Sequence, residues 1–395
     1  MKLTRLLVAL CASTALLPGL VLAQKKYDPG ATDTEIKIGI TVPLSGPASS
    51  YGIACPANQG YFAMINDQGG INGRKLKLLC EDDGFVPPKA IEQTRKLVES
   101  DQVLFMYNSL GTATNTAVHR YMTARKVPMV LINSGAYKWG DPKANPYTTP
   151  SLPSNRSEAK IFAEYVAKNM PNAKVALLFQ NDDYGKDYQI GLREQLGPLA
   201  DKMLVAEQSY ELSDPSIDSQ IIALRAKNPD VVVLGALAKH ATLAIKKIGE
   251  LGWKPQIFLG WSSSSIPSVL TPAGLEYSKG LLTTAIIKDP RDPKWANDKI
   301  TNDYKAFMAK YYPTGDPNNI SNIYAYATSS VLVDILKRAG NDLTRDNIMK
   351  QAQNVDIEPL MYLPGVRFKV SPQDHDPIKQ FQMVRFDGAG WQTVG

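Results

Sequence analysis

The sequence is most informative first in what it has little of. Its 395 residues include only three histidines, His119, His240 and His375, and they are far apart with no partners nearby in the chain. Most charge-relay and metal chemistry is built around histidine, so each of the three reads as a surface or packing residue. No His-Glu-x-x-His or Cys-x-x-Cys pair occurs, and a zinc site has no evident ligands. A Gly-x-x-x-x-Gly-Lys-Ser/Thr loop is absent, as is Gly-x-Gly-x-x-Gly after the first strand pattern, so no cradle is prepared for a nucleotide phosphate. Ser157-Glu158-Ala159-Lys160 matches the Ser-x-x-Lys pattern of serine acyl enzymes, but its companion motifs are missing and a four-residue match is expected by chance. Acidic clusters such as Glu81-Asp82-Asp83 read as solvated strand ends rather than metal ligands. The chain is therefore expected to be no enzyme and to carry no cofactor and no metal.

Basic residues are scattered, and without a polybasic block nucleic acid is not an expected partner. After residue 22 no run of about 18 apolar residues occurs that would span a membrane. The one long apolar run is at the start: Lys2 and Arg5, then Leu6 to Leu22, then Val21-Leu22-Ala23. That is the layout of a secretory signal peptide, residues 1–23, with cleavage after Ala23 and Gln24 as the first mature residue, which places the protein in the periplasm. Leu10 precedes Cys11 where a lipoprotein box needs a small residue, which argues against a lipid anchor. Removal of Lys2 and Arg5 lowers Lys+Arg from 44 to 42 against 38 acids, a net charge of +4. Of three cysteines, Cys55 and Cys80 remain after processing; in an oxidising compartment they form either one disulfide or two buried thiols.

What is present is an alternation. Apolar runs at 36–42, 75–81, 102–107, 127–133, 174–180, 231–237, 256–260 and 280–287 read as strands. Amphipathic stretches at 53–67, 88–100, 114–125, 158–169, 188–196, 216–227 and 242–251 read as helices between them. Strands alternating with helices of this length predict parallel sheets covered on both faces, an α/β fold. "VVVLGAL" is apolar throughout, as a strand buried on both sides requires. The Pro-rich stretch 140–155 and "KDPRDPKW" interrupt the rhythm and read as connectors, predicting two α/β units with a cleft between them. Ligands of open parallel sheets bind beyond the carboxyl ends of the strands.

At those ends small polar loops recur. They are "SGPASSY" closing on Tyr51, "NSLGTATN" containing Leu110, Gly111 and Thr112, and "NSGAY" with Ser134, Gly135, Ala136 and Tyr137. "NDDYG" contributes Tyr184, and "WSSSS" opens with Trp261 and Ser262; Leu237 closes the sixth apolar run. Small residues admit a ligand to the backbone, and hydroxyls and open helix N–H groups suit a carboxylate without any basic residue. The tyrosines and Trp261 add apolar surface for the ligand's body. Taken singly each loop is an ordinary helix cap; several on the same sheet edges point to a binding cleft.

"IKIGITVPLSGPASSYG", then "INDQGGINGRKLKL", "VPMV" opening the fourth strand and "NDDYGKDY" after the fifth together resemble the leucine/isoleucine/valine-binding group of the type I periplasmic binding proteins, from about Ile36 to the end of the chain. The resemblance implies two Rossmann-like lobes joined by a three-strand hinge, residues 24–149 with 284–362 and residues 150–283 with 363–395. It implies a monomer that delivers its ligand to the membrane permease of a branched-chain amino acid-type ABC importer. It carries carboxylate-holding roles to Leu110, Gly111, Thr112, Ser134, Gly135, Ala136 and Tyr137, and ligand contacts to Tyr51 and Tyr184. The chain departs from the pattern at one place: the acid that pairs with an amino-acid ligand's ammonium group is replaced by Gly260-Trp261-Ser262-Ser263. Burying an ammonium without a counter-charge costs several kcal/mol. The expected ligand is therefore an aromatic acid stacked on Trp261, or an amino acid if Asp182 or Asp183 substitutes. A sensory module of the same fold and an exported hydrolase are the alternatives.

Overall fold

In the computed structural model the described residues are 25–394; residues 1–23, expected from sequence to be a signal peptide, lie outside them. Two sheets organise the chain. The first has five parallel strands in the order β2-β1-β3-β4-β5: β1 Glu35–Val42, β2 Lys75–Asp82, β3 Phe105–Tyr107, β4 Met129–Ile132 and β5 Thr148–Pro150. The second has seven strands in the order β12-β11-β10-β9-β8-β6-β7: β6 Val175–Gln180, β7 Leu204–Tyr210, β8 Val231–Gly235, β9 Gln256–Leu259, β10 Leu282–Ala285, β11 Gln382–Phe386 and β12 Trp391–Thr393. Strands β6 to β10 pair in parallel, and β11 and β12 add antiparallel to the β10 edge.

Every residue of β4, β6 and β8 is buried, because helices cover both faces of each sheet. They include α1 Ala54–Asp67, α2 Pro87–Arg95, α3 Thr112–Ala124, α4 Asn155–Asn169, α5 Asp183–Leu196, α6 Asp218–Arg225 and α7 Ala238–Glu250, followed by α8 Lys299–Tyr311, α9 Ile320–Ala339 and α10 Arg345–Ala352. Local chemistry sets their starts. Ser154 caps α4 by accepting from Ser157 N, and Asp182 caps α5 by accepting from Gly185 N. Pro87 opens α2, where its missing N–H costs nothing.

Two differences from the sequence expectation stand out. The stretch 140–155 is not wholly irregular: Thr148–Pro150 is an edge strand, a place where Pro150 has no ladder bond to lose. Beyond "KDPRDPKW" the chain builds α8, α9, α10, β11 and β12. Cys55 at the start of α1 and Cys80 on β2 form a disulfide, with Cα atoms 6.3 Å apart. Among the described residues no helix is long and apolar enough to cross a membrane.

Candidate functional site

The loops following β1, β3 and β4 of the first sheet meet those following β6, β8 and β9 of the second around a cavity of about 440 Å³. Nine of the twelve residues singled out from sequence line it: Tyr51, Leu110, Gly111, Thr112, Ser134, Gly135, Tyr184, Leu237 and Ser262. Sequence reasoning did not single out Phe85, Leu152, Asn155 and Gln180, which complete the wall with Asn133 and Asp182. No lysine, arginine or histidine is among the lining residues.

Tyr51 spans the cavity. Its hydroxyl accepts from Ala238 N at 3.0 Å, at the start of α7, and lies 3.2 Å from both Ser262 O and Ser263 Oγ. A side chain following the first strand of one sheet is thus hydrogen-bonded to two loops of the other. Tyr184 reaches the same loop through Ser262 Oγ at 3.3 Å.

At the first-sheet wall, Thr112 Oγ1 and Ser134 Oγ are 2.8 Å apart, and Trp139 Nε1 donates to Ser134 Oγ at 2.9 Å. Ala136 N also points at Ser134 Oγ, at 3.4 Å. With two N–H groups on its lone pairs, Ser134 gives its proton to Thr112, which leaves the Thr112 hydroxyl proton for a ligand. The backbone N–H groups of Leu110 and Gly111 are already committed, to Thr41 O and Asn133 O. The donors on this side are therefore Thr112 and the N-terminus of α3 that it opens. Gly111, at φ +107°, lies against the Phe85 ring, where a Cβ would come within 2.6 Å. A Cβ on Gly135 would come within 2.5 Å of Pro153 O and 2.7 Å of Asn155 Oδ1. Both glycines are required by close packing of the wall itself.

Asn155, the first residue of α4, is 93 % buried, and its Nδ2 has no partner among the described atoms. A buried amide without a partner costs on the order of 1–3 kcal/mol, so a ligand acceptor placed there is favoured. Phe85 adopts φ 61°, held by Asp83, whose Oδ1 accepts Phe85 N at 2.8 Å. Burial pushes the Asp83 carboxyl up to about 6.

Two acids were candidates for the missing counter-charge, and the structure separates them. Asp183 is exposed and paired with Lys138 at 2.7 Å. Asp182 lines the cavity; Gln180 Nε2 donates to it at 2.7 Å and Gly185 N at 3.2 Å, with no cation beside it. Burial raises its pKa, so a ligand cation at that carboxylate would relieve a buried charge. A third acid, Glu158 on α4, is buried behind the wall. It accepts from Trp261 N at 2.9 Å, from Tyr188 OH at 2.6 Å and from the Thr284 hydroxyl.

Three predicted residues are placed elsewhere. Trp261 turns away from this cavity and lines the two beside it, edge-on to Tyr324 with ring centroids 5.7 Å apart, and its backbone N–H is held by Glu158. Tyr137 is 51 % exposed, with Arg156 4.1 Å from its ring centre and its N–H bonded to Asp187. Ala136 is buried against a separate small cavity near Asp376. Of the histidines, His240 and His375 are buried and His119 packs against Trp139. Burial lowers the pKa of all three. Among the described residues no group of three His, Cys, Asp or Glu could hold a metal ion.

Two α/β sheets whose carboxyl-end loops enclose a hydroxyl-lined cavity with one carboxylate, Asp182, in its wall form a site sized for a small molecule. The chain belongs to the periplasmic binding protein family, type I, of the leucine/isoleucine/valine-binding kind: the model "Periplasmic binding protein" matches residues 35–390. That family is one of non-enzymatic solute-binding proteins that serve ABC importers in the periplasm, and the chain is not an enzyme. It is 24% identical over 336 residues to "Leu/Ile/Val-binding protein homolog 1" of Brucella abortus (strain 2308), covering 83% of this chain and 85% of that one. Its fold is similar to that of a possible leucine/isoleucine/valine-binding protein from Rhodopirellula baltica SH 1, with a TM-score of 0.79, 18% identity, and 92% and 97% of the two chains covered. It is also similar to that of an ABC transporter solute binding protein from Rhodopseudomonas palustris BisB5 in complex with 3,4-dihydroxy benzoic acid, at TM-score 0.74 and 18% identity, over 90% and 93% of the chains.

Proposed function

We propose that this protein is the extracytoplasmic substrate-binding component of a branched-chain amino acid-type ABC importer, exported by its N-terminal segment and acting as a monomer. In this reading residues 24–149 with 284–362 and residues 150–283 with 363–395 are two hinged lobes that close on a small carboxylate and present it to a membrane permease. The observation that carries the reading is the Tyr51 hydroxyl. It joins loops of both sheets over the cavity, a set of bonds that exists only when the lobes are together.

The carboxylate would sit by Thr112 and Asn155, where a hydroxyl oriented by Ser134 and an amide supply hydrogen bonds without a formal charge. Asp182 changes the ligand preference expected from sequence. Its carboxylate gives an ammonium group a partner inside the cavity, so amino acids stand beside aromatic acids as ligands, and Trp261, turned out of the cavity, offers no ring to a ligand confined to it.

A thermal-shift screen of branched-chain and other amino acids, benzoate- and cinnamate-like acids and dicarboxylates tests the proposal, since a ligand that binds only the folded state raises its apparent stability. Several degrees of stabilisation by a member of the first two groups is the expected result. No response to any carboxylate, or chemical conversion of the ligand seen by mass spectrometry, would overturn it.

A further inference from the structure

Beside the ligand cavity are two more spaces. One, of about 370 Å³, shares Tyr51, Leu110, Leu152 and Ser262 with it. The other, of about 600 Å³, shares Trp261 and Ile320 with that middle space. It lies between the β10–β12 edge of the second sheet and the start of α9, and is walled by Ile266, Ile287, Ile323, Leu363 and Val384 with Trp295 and Trp391. The three form a row, with Trp261 at the last partition.

The end chamber has an apolar face, and the charged residues at its rim are paired. Lys288 is paired with Asp298 at 2.8 Å, Arg291 with Asp289 at 2.7 Å and Lys294 with Asp292 at 3.0 Å. Its buried hydroxyls are also used: Thr283 donates to Leu259 O, Thr284 to Glu158 and Ser264 to Trp261 O. Among the described residues, no buried side-chain polar atom of the chamber lacks a partner. The ligand cavity is the opposite, with the open Nδ2 of Asn155 and the uncompensated carboxyl of Asp182. The chamber's buried polar groups are thus satisfied and its open wall is mainly apolar, so it suits an apolar body, while a purely apolar ligand would have no head group for the cavity.

We propose, resting on the reading that the cavity holds a carboxylate, that the ligand is an elongated acid whose head lies by Asn155 and Thr112 and whose aryl or alkyl body passes Trp261 into the chamber. Residues of the chamber then set ligand length. Ala285, at the end of β10, and Asn318, on the loop before α9, line the chamber and not the ligand cavity.

The test is calorimetric titration of the purified protein with two homologous series, ω-phenylalkanoates from phenylacetate to phenylhexanoate and straight-chain 2-amino acids from norvaline to 2-aminodecanoate. One series is expected to gain about two- to fourfold in affinity per added methylene, since a buried methylene is worth about 0.8 kcal/mol. Ala285→Phe should remove that gain while leaving the shortest binding member unchanged. Asn318→Trp fills the chamber from its loop side and should do the same, which guards against a folding defect in the first variant. Flat or falling affinity with length, while benzoate or leucine binds, overturns the elongated-ligand proposal and leaves the carboxylate reading standing. Failure of every carboxylate to bind overturns both, and length-dependent gain that survives both filling variants places the body outside the chamber and overturns it.

Discussion

Tyr51→Phe is the substitution that most directly probes capture by closure. The phenyl ring stays, so its packing is preserved; the hydroxyl goes, and with it the acceptor for Ala238 N at 3.0 Å and the contacts at 3.2 Å to Ser262 O and Ser263 Oγ. One hydroxyl proton serves one of those two oxygens, so the loss is about two effective hydrogen bonds. At about 0.5–1.5 kcal/mol net for each, the closed form is destabilised by about 1–3 kcal/mol. The Ala238 N–H is one of the open donors at the start of α7 and is left without its acceptor, which favours the upper part of that range. In the proposed open form the hydroxyl exchanges these partners for water, so that state would be unaffected. All of the lost energy then appears in the closing equilibrium, and the dissociation constant should rise about 5- to 150-fold. Titration calorimetry with a ligand from the thermal-shift screen measures the affinity; small-angle scattering with and without ligand measures closure. A dissociation constant within twofold of wild type, with the same ligand-induced compaction, would refute the assignment of Tyr51 as the bridge between lobes.

Asp182→Asn keeps an oxygen to cap α5 while removing the charge. It should weaken an amino-acid ligand by about 10- to 100-fold, the size of a lost charge-assisted bond, and leave an acid without an amino group unaffected in parallel titrations; equal effects on both would show that Asp182 acts only as a cap. Asp83 titrates at about 6 in the folded chain against an ordinary 3.8, so the native state holds that proton more tightly than the unfolded one and ionisation costs stability as pH rises from about 4 to 6. Asp83→Asn should therefore be more favourable relative to wild type at pH 7.5 than at pH 4 by about 2–3 kcal/mol, read from melting curves at the two pH values; a pH-independent difference would sink this. The Cys55–Cys80 disulfide closes a loop of sequence separation 25, worth about 3 kcal/mol in chain entropy, so reduction or Cys80→Ala should lower the melting temperature by several degrees; no change on reduction would show that the pair contributes nothing. Replacing Tyr184 by Ala should weaken ligand binding without preventing folding, and unchanged affinity would remove it from the site.

Elements buried on both faces were legible in the sequence because their composition carries the signal: β4 and β8 have no polar side chain, and β6 has none before its last residue, Gln180. Strand β7 was not, because it sits at the sheet edge with a mixed burial pattern and its residues 204–210 include Glu207, Gln208 and Ser209. Helix α9 is buried on nearly every side, and a helix without a polar face has no amphipathic period to read. In the site, the strand-end loops were legible because each is local. Asn155 was not, since at the start of a helix it reads as a cap, and only the tertiary structure shows its Nδ2 buried and open. Phe85 depends on an unusual φ held by Asp83, which no hydrophobic pattern encodes.

The direction of Trp261 was the least legible feature, and the surroundings of its loop also bear on the proposed role of Asp182. The loop after β9 gives the N–H of Trp261 to Glu158, a carboxylate buried with two further hydroxyl donors and a raised pKa. A second acid in that loop would be buried against Glu158, and two such carboxylates raise one another's pKa until one stays protonated. A neutral acid cannot pair with an ammonium. The loop is therefore a poor place for a counter-charge in this chain. Asp182, at the head of α5, lines the cavity away from Glu158 and accepts from Gln180 and Gly185, hydrogen bonds that favour its charged form against the cost of burial, while Trp261 partitions the space behind.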